Sequence, residues 1–90
     1  MKVVINKCYG GFGLSDSALE RYNELSGKDE SCYEIERNNP HLVQVVEEMG
    51  DLANTRYSEL KVVEIPDNIL WNIHDYDGYE HIEEVHRTWG

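Results

Sequence analysis

The sequence predicts a small α+β domain, with a mostly antiparallel sheet of about four strands and two helices packed on one face. Three observations predict it. Two segments carry capping residues around apolar stripes of helical period, one from Asp16 to Ser26 and one after Asn39-Pro40. Two runs rich in β-branched residues, Val3-Val4-Ile5 and Val62-Val63-Glu64-Ile65, read as strands. Finally, Asp77-Gly78 between alternating residues is a strong short hairpin signal. The 90 residues make one domain, near the size at which a single core gives only modest stability. Assembly stabilises such chains, so a homo-oligomer is expected.

In chain order, Lys2 to Lys7 carries three apolar residues in succession and reads as a short, central, buried strand. The first helix starts at a good N-cap, Ser15, with Asp16 and Glu20 suited to the positive helix end. Leu14 and Leu19 occupy the two positions of a hydrophobic staple. Ala18, Leu19, Tyr22 and Leu25 form its apolar face, and Gly27 stops it. Lys28 to Ser31 is polar loop, and Cys32-Tyr33-Glu34-Ile35 reads as a short strand. Asn39 then caps a second helix and Pro40 fits its first position. Leu42, Val43, Val46 and Met49 make the stripe, Val45 widens it for burial against a sheet, and Gly50 ends it. Asp51 to Ser58 is ambiguous, with Leu52, Ala53 and Tyr57 able to add a helical turn.

Leu60 to Ile65 is the best strand signal, stopped by Pro66-Asp67-Asn68. Ile69 to Tyr76 alternates through Ile69, Trp71 and Ile73. A two-residue turn at Asp77-Gly78 sets Tyr76 opposite Tyr79, His74 opposite His81 and Ile73 opposite Ile82. Tyr79, Ile82, Val85 or His86, and Trp89 also fit a helical stripe, so residues 79–89 have two readings, of which the hairpin is preferred.

Charge narrows the function. Eighteen Asp and Glu against eight Lys and Arg leave a formal charge of −10. Direct nucleic-acid binding needs clustered positive charge, which this balance opposes. No apolar run reaches the roughly 18 residues of a membrane span, and Met1 to Ile5 is too short for a signal sequence. Cys8 and Cys32 do not make a disulfide framework and read as reduced thiols of a cytosolic protein.

Gly10-Gly11-Phe12-Gly13 is the most unusual stretch. Glycine costs backbone entropy, so three within four positions need a reason. One reading is a tight connection between strand and helix, with Tyr9 and Phe12 in the core. The other is a ligand loop whose amides, with Lys7, meet Arg87 and Trp89 from the far end of the chain. Arg87 would then pair with an anion, while Tyr9, Phe12 or Trp89 stacks on a base. The loop matches neither GxGxxG nor GxxxxGK[ST], so no dinucleotide or P-loop fingerprint is present. The candidate binding residues are thus Lys7, Tyr9, Gly10, Gly11, Phe12, Arg87 and Trp89.

Catalysis and metal binding have thinner support. Cys8 has no histidine placed beside it by sequence, and a small buried cysteine is the simpler reading. His74 and His81 face each other in the hairpin, but CxxC and HExxH are missing, and solvated histidines are the default expectation. Asp75, Asp77, Glu80, Glu83 and Glu84 form an acidic run that reads as wet surface. The chain is therefore expected to be no enzyme and to need no cofactor or metal.

Asn6-Lys7-Cys8-Tyr9-Gly10-Gly11-Phe12-Gly13-Leu14-Ser15 and His86-Arg87-Thr88-Trp89, with Val62-Val63-Glu64-Ile65-Pro66-Asp67 and Tyr76-Asp77-Gly78 between them, carry a resemblance. Over nearly its whole length the chain resembles a family of small uncharacterised proteins of bacteriophages and prophages. The resemblance implies a phage accessory protein made in the host bacterial cytoplasm that acts by binding. Two classes of partner follow. One is a small anionic molecule, a nucleotide-like signal sequestered as a counter-defence. The alternative is a host protein, a nuclease, regulator or defence complex whose basic surface the acids of this chain would cover.

Overall fold

A computed structural model describes residues 1–84 of the chain. It is an α+β fold with two helices and four antiparallel strands. The order is β1 (Lys2–Asn6), α1 (Asp16–Ser26), α2 (Pro40–Met49), β2 (Leu60–Glu64), β3 (Trp71–Tyr76) and β4 (Tyr79–Glu84). The strands pair two by two: β1 with β2, and β3 with β4 in a separate hairpin.

Local chemistry accounts for the helix limits. Ser15 Oγ accepts a hydrogen bond from the Ala18 amide at 3.2 Å, and the amide of Gly27 in left-handed conformation returns to Asn23 O. Asn39 Oδ1 accepts from the amides of His41 and Leu42, and Pro40 follows it as the first helical residue. Asn39 also donates from Nδ2 to Tyr22 Oη at 3.1 Å, tying the cap of α2 to the buried face of α1. Burial pushes the Tyr22 phenol pKa up, so the ring stays neutral.

Residues Cys32–Glu34 form a single 3-10 turn instead of the expected short strand, and Tyr33 is left exposed. The ladder position beside β1 is taken by Arg37, whose carbonyl accepts from the Val4 amide at 2.8 Å. The ambiguous stretch after α2 opens with a second 3-10 turn, Gly50–Ala53, whose Ala53 is fully buried.

The β1–β2 ladder lies between two apolar clusters. In its register Val4 faces Val62 and Val3 faces Val63. Val4 packs with Leu42, Val45, Val46, Ala18 and Tyr22 from the helices, with Leu60 and Val62 against them. Val3 and Ile5 join Ile65 on the other side, where Val63, Trp71, Ile73 and Ile82 pack. Val3, Val4 and Ile5 are all at most 2% exposed, which a strand covered on both faces requires. Burying each such side chain stabilises the fold by about 1.5–3 kcal/mol.

The hairpin register is Tyr76 with Tyr79, His74 with His81 and Ile73 with Ile82. Asp77 and Gly78 both have positive φ, 50° and 90°, as a two-residue turn matched to strand twist requires. Tyr79–Glu84 is therefore strand, which overturns the rival helical reading at Tyr79 and Ile82, and the remainder of residues 79–89 lies outside the described ones.

Candidate functional site: the junction of the glycine loop and the hairpin tip

β1 ends at Asn6, and the chain turns there into the glycine stretch. Asn6 is completely buried and uses both ends of its amide. Its Nδ2 donates to Cys8 O at 2.9 Å and Gly78 O at 2.7 Å, while Oδ1 accepts from the Glu59 amide at 2.8 Å. One side chain thus joins the glycine loop, the hairpin turn and the approach to β2.

The glycines fit this crowding. A Cβ on Gly78 would collide with the backbone of Gly10 and Gly11, so the hairpin tip rests directly on the loop. A Cβ on Gly10 would come within 2.7 Å of Tyr57 Cβ, so a third segment closes the other side. These close approaches require glycine.

Beneath the junction lies an ion pair. Glu80 is 3% exposed, and its carboxylate accepts from Arg37 Nη1 and Nη2, at 2.5 and 2.9 Å. Glu80 Oε1 also accepts from the Asn6 amide at 2.8 Å. The guanidinium carbon of Arg37 lies 3.6 Å from the centroid of the Phe12 ring. Val4 and Asn6 direct their amides to the same edge of β1; Arg37 O satisfies the first and Glu80 the second. The edge of β1 is therefore closed by one carbonyl and one carboxylate, so the hairpin docks without extending the ladder. Glu80 corrects the reading of residues 75–84 as uniform wet surface. It shares a face of β4 with Ile82, which packs in the apolar cluster, so its carboxylate points inward and requires a cation.

The sequence-derived candidates do not all meet. Lys7, Tyr9, Gly10 and Gly11 come together at the junction. Lys7 Nζ sits 5.1 Å from the Tyr79 ring centroid, and the Tyr9 and Tyr79 rings are 5.0 Å apart. Phe12 instead faces the core at 8% exposure, under Arg37. Arg87 and Trp89 lie outside the described residues, as does His86. Around this cluster Tyr9, Tyr57 and Tyr76 are each more than 60% exposed. Glu59, Asp75 and Asp77 are exposed acids close by in the chain.

The chain matches no family model, no curated protein and no solved structure.

Sequence reasoning missed Arg37, Glu80, Asn6, Tyr57 and Tyr79 at this junction. A signal existed for Glu80 alone, as an acid in register with inward-facing Ile82. Cys8 and Cys32 are both free thiols, as expected. A surface cavity of about 660 Å3 between β1 and α2, bordered by Lys2, Pro40, Val43 and Glu47, contains none of the candidates. Among the described residues no helix is long and apolar enough to cross a membrane.

Proposed function

We propose that the protein is a non-enzymatic phage accessory protein that binds a basic surface of a host protein through the junction of the glycine loop and hairpin. The observation that carries this reading is the set of exposed tyrosines Tyr9, Tyr57 and Tyr76 around a backbone seat held by the buried Glu80 and its partner Arg37. Tyrosine gives large contact area for little side-chain entropy and is enriched at protein interfaces. The net charge of −10 and the acids Glu59, Asp75 and Asp77 suit a basic partner and fast, salt-sensitive encounter.

Sequestration of a small anionic molecule is the second reading. It rests on Lys7, Tyr9 and Tyr79, where a cation and two rings adjoin the loop backbone. Arg37 adds nothing to an anion site there, because its charge is already paired with Glu80.

One experiment separates the two. The untagged protein and a Tyr9→Ser, Tyr57→Ser, Tyr76→Ser variant are mixed with host lysate at low and high salt and analysed by native mass spectrometry. A protein complex formed by the parent, weakened by salt and lost in the variant is the expected result. A stoichiometric small-molecule adduct lost in the variant would instead establish sequestration. Identical spectra for both proteins would remove this junction as the binding face.

A further inference from the structure

The outward face of the hairpin carries a side-chain cluster that the proposed partner binding does not use. His74 and His81 are directly opposite in the register, their rings stacked at 5.4 Å between centroids and 27° between planes. Glu83 lies two residues beyond His81, hence on the same face of β4. Its two oxygens are divided between the rings. His74 Nε2 is 3.0 Å from Oε2, and His81 Nε2 is 2.8 Å from Oε1. One donor atom from each of the three residues lies within 4.8 Å of the other two.

We infer that His74, His81 and Glu83 form a three-ligand site for a divalent transition-metal ion of the zinc class. Zinc takes imidazole nitrogen and carboxylate oxygen at about 2.0–2.2 Å, so its ligand atoms stand roughly 3.4 Å apart in a tetrahedron. Adjusting donors that already lie within 4.8 Å of one another to that spacing calls for side-chain rotation, which suits side chains that are all about half exposed. Two-residue alternation presents the donors on one face, and the Asp77-Gly78 turn fixes the register that brings the imidazoles together. Two imidazoles and one carboxylate favour zinc, cobalt or nickel over magnesium and calcium, which prefer all-oxygen shells. The chain's negative charge raises the local cation concentration. Three protein ligands leave a fourth position for water or for a donor from another molecule. The inference stands apart from the partner reading, since neither His74 nor His81 belongs to the junction.

The test is calorimetric titration of the untagged, metal-stripped protein with zinc chloride, alongside cobalt absorption spectra. One ion per chain is expected, with a visible cobalt spectrum and a zinc-dependent rise in melting temperature. His74→Ala and His81→Ala should each weaken zinc at least about tenfold while melting like the parent without metal. Glu83→Gln should weaken it as well, and His41→Ala should leave it unchanged. Excess magnesium should not compete. Absence of one-to-one binding would overturn the site. So would zinc affinity that survives His74→Ala and His81→Ala, or displacement by equimolar magnesium, since either identifies loose binding to surface acids.

Discussion

The two sides of the β1–β2 ladder are built differently. The helix side is apolar: Val4, Leu42, Val45, Val46, Ala18 and Tyr22 form one cluster. The hairpin side has a smaller cluster around Val3, Ile5 and Ile65, and its remaining attachment is polar, through Asn6, Arg37 and Glu80. Apolar packing tolerates small shifts of an element, whereas a bidentate ion pair and a buried amide specify one position. The hairpin is thus held in register against the glycine loop by chemistry that the helices do not need.

The largest test of this difference is Glu80→Gln. Removing one charge leaves the partly buried Arg37, 21% exposed, without its charged partner, and a loss of about 3 kcal/mol in urea unfolding, the low end for a buried pair, is expected. Replacing both, with Arg37→Met and Glu80→Leu, should recover much of the stability, because no buried charge is left unpaired. On the helix side, Leu42→Ala should cost about 3 kcal/mol through the cavity it leaves. Gly78→Ala comes next, at about 2 kcal/mol, since its Cβ must push the hairpin tip off Gly10 and Gly11.

The smallest effect belongs to Lys2 and Glu47, an exposed pair at 3.0 Å that belongs to neither attachment. The hydrogen bond and charge of Glu47 hold the Lys2 pKa above its ordinary value. A raised lysine contributes stability that is present below its unfolded pKa and lost as pH rises through the folded one. Glu47→Gln should therefore lower the melting temperature slightly at neutral pH, and the difference should vanish in alkali. A difference that persists in alkali would show that the pair is not its cause.

The same contrast explains what could be read in advance. The helix side follows local rules: Ser15 and Asn39 cap, Gly27 and Gly50 terminate, and the apolar stripes repeat at helical period. The hairpin was equally legible, because Asp77-Gly78 has one favoured turn and the turn dictates the pairing of His74 with His81. The docking of hairpin on loop was not legible. It depends on Asn6, Arg37 and Glu80, which lie 31 to 74 positions apart in the chain and follow no periodicity. Phe12 illustrates the limit at the candidate site. An aromatic residue in a glycine loop suits a stacking platform or a core plug equally well, and only the position of Arg37 places it inward. The nearest strand signal to fail, Cys32 to Ile35, failed for a related reason, since Arg37 took the edge of β1.

Amide hydrogen exchange of the parent and Glu80→Gln, compared residue by residue, tests most directly whether the Arg37–Glu80 pair seats the hairpin on the glycine loop. The account predicts that Asn6, residues 10–11 and β3–β4 lose protection together, while α1 and α2 keep most of theirs. Unchanged protection in the hairpin, or an equal loss throughout the helices, would contradict it.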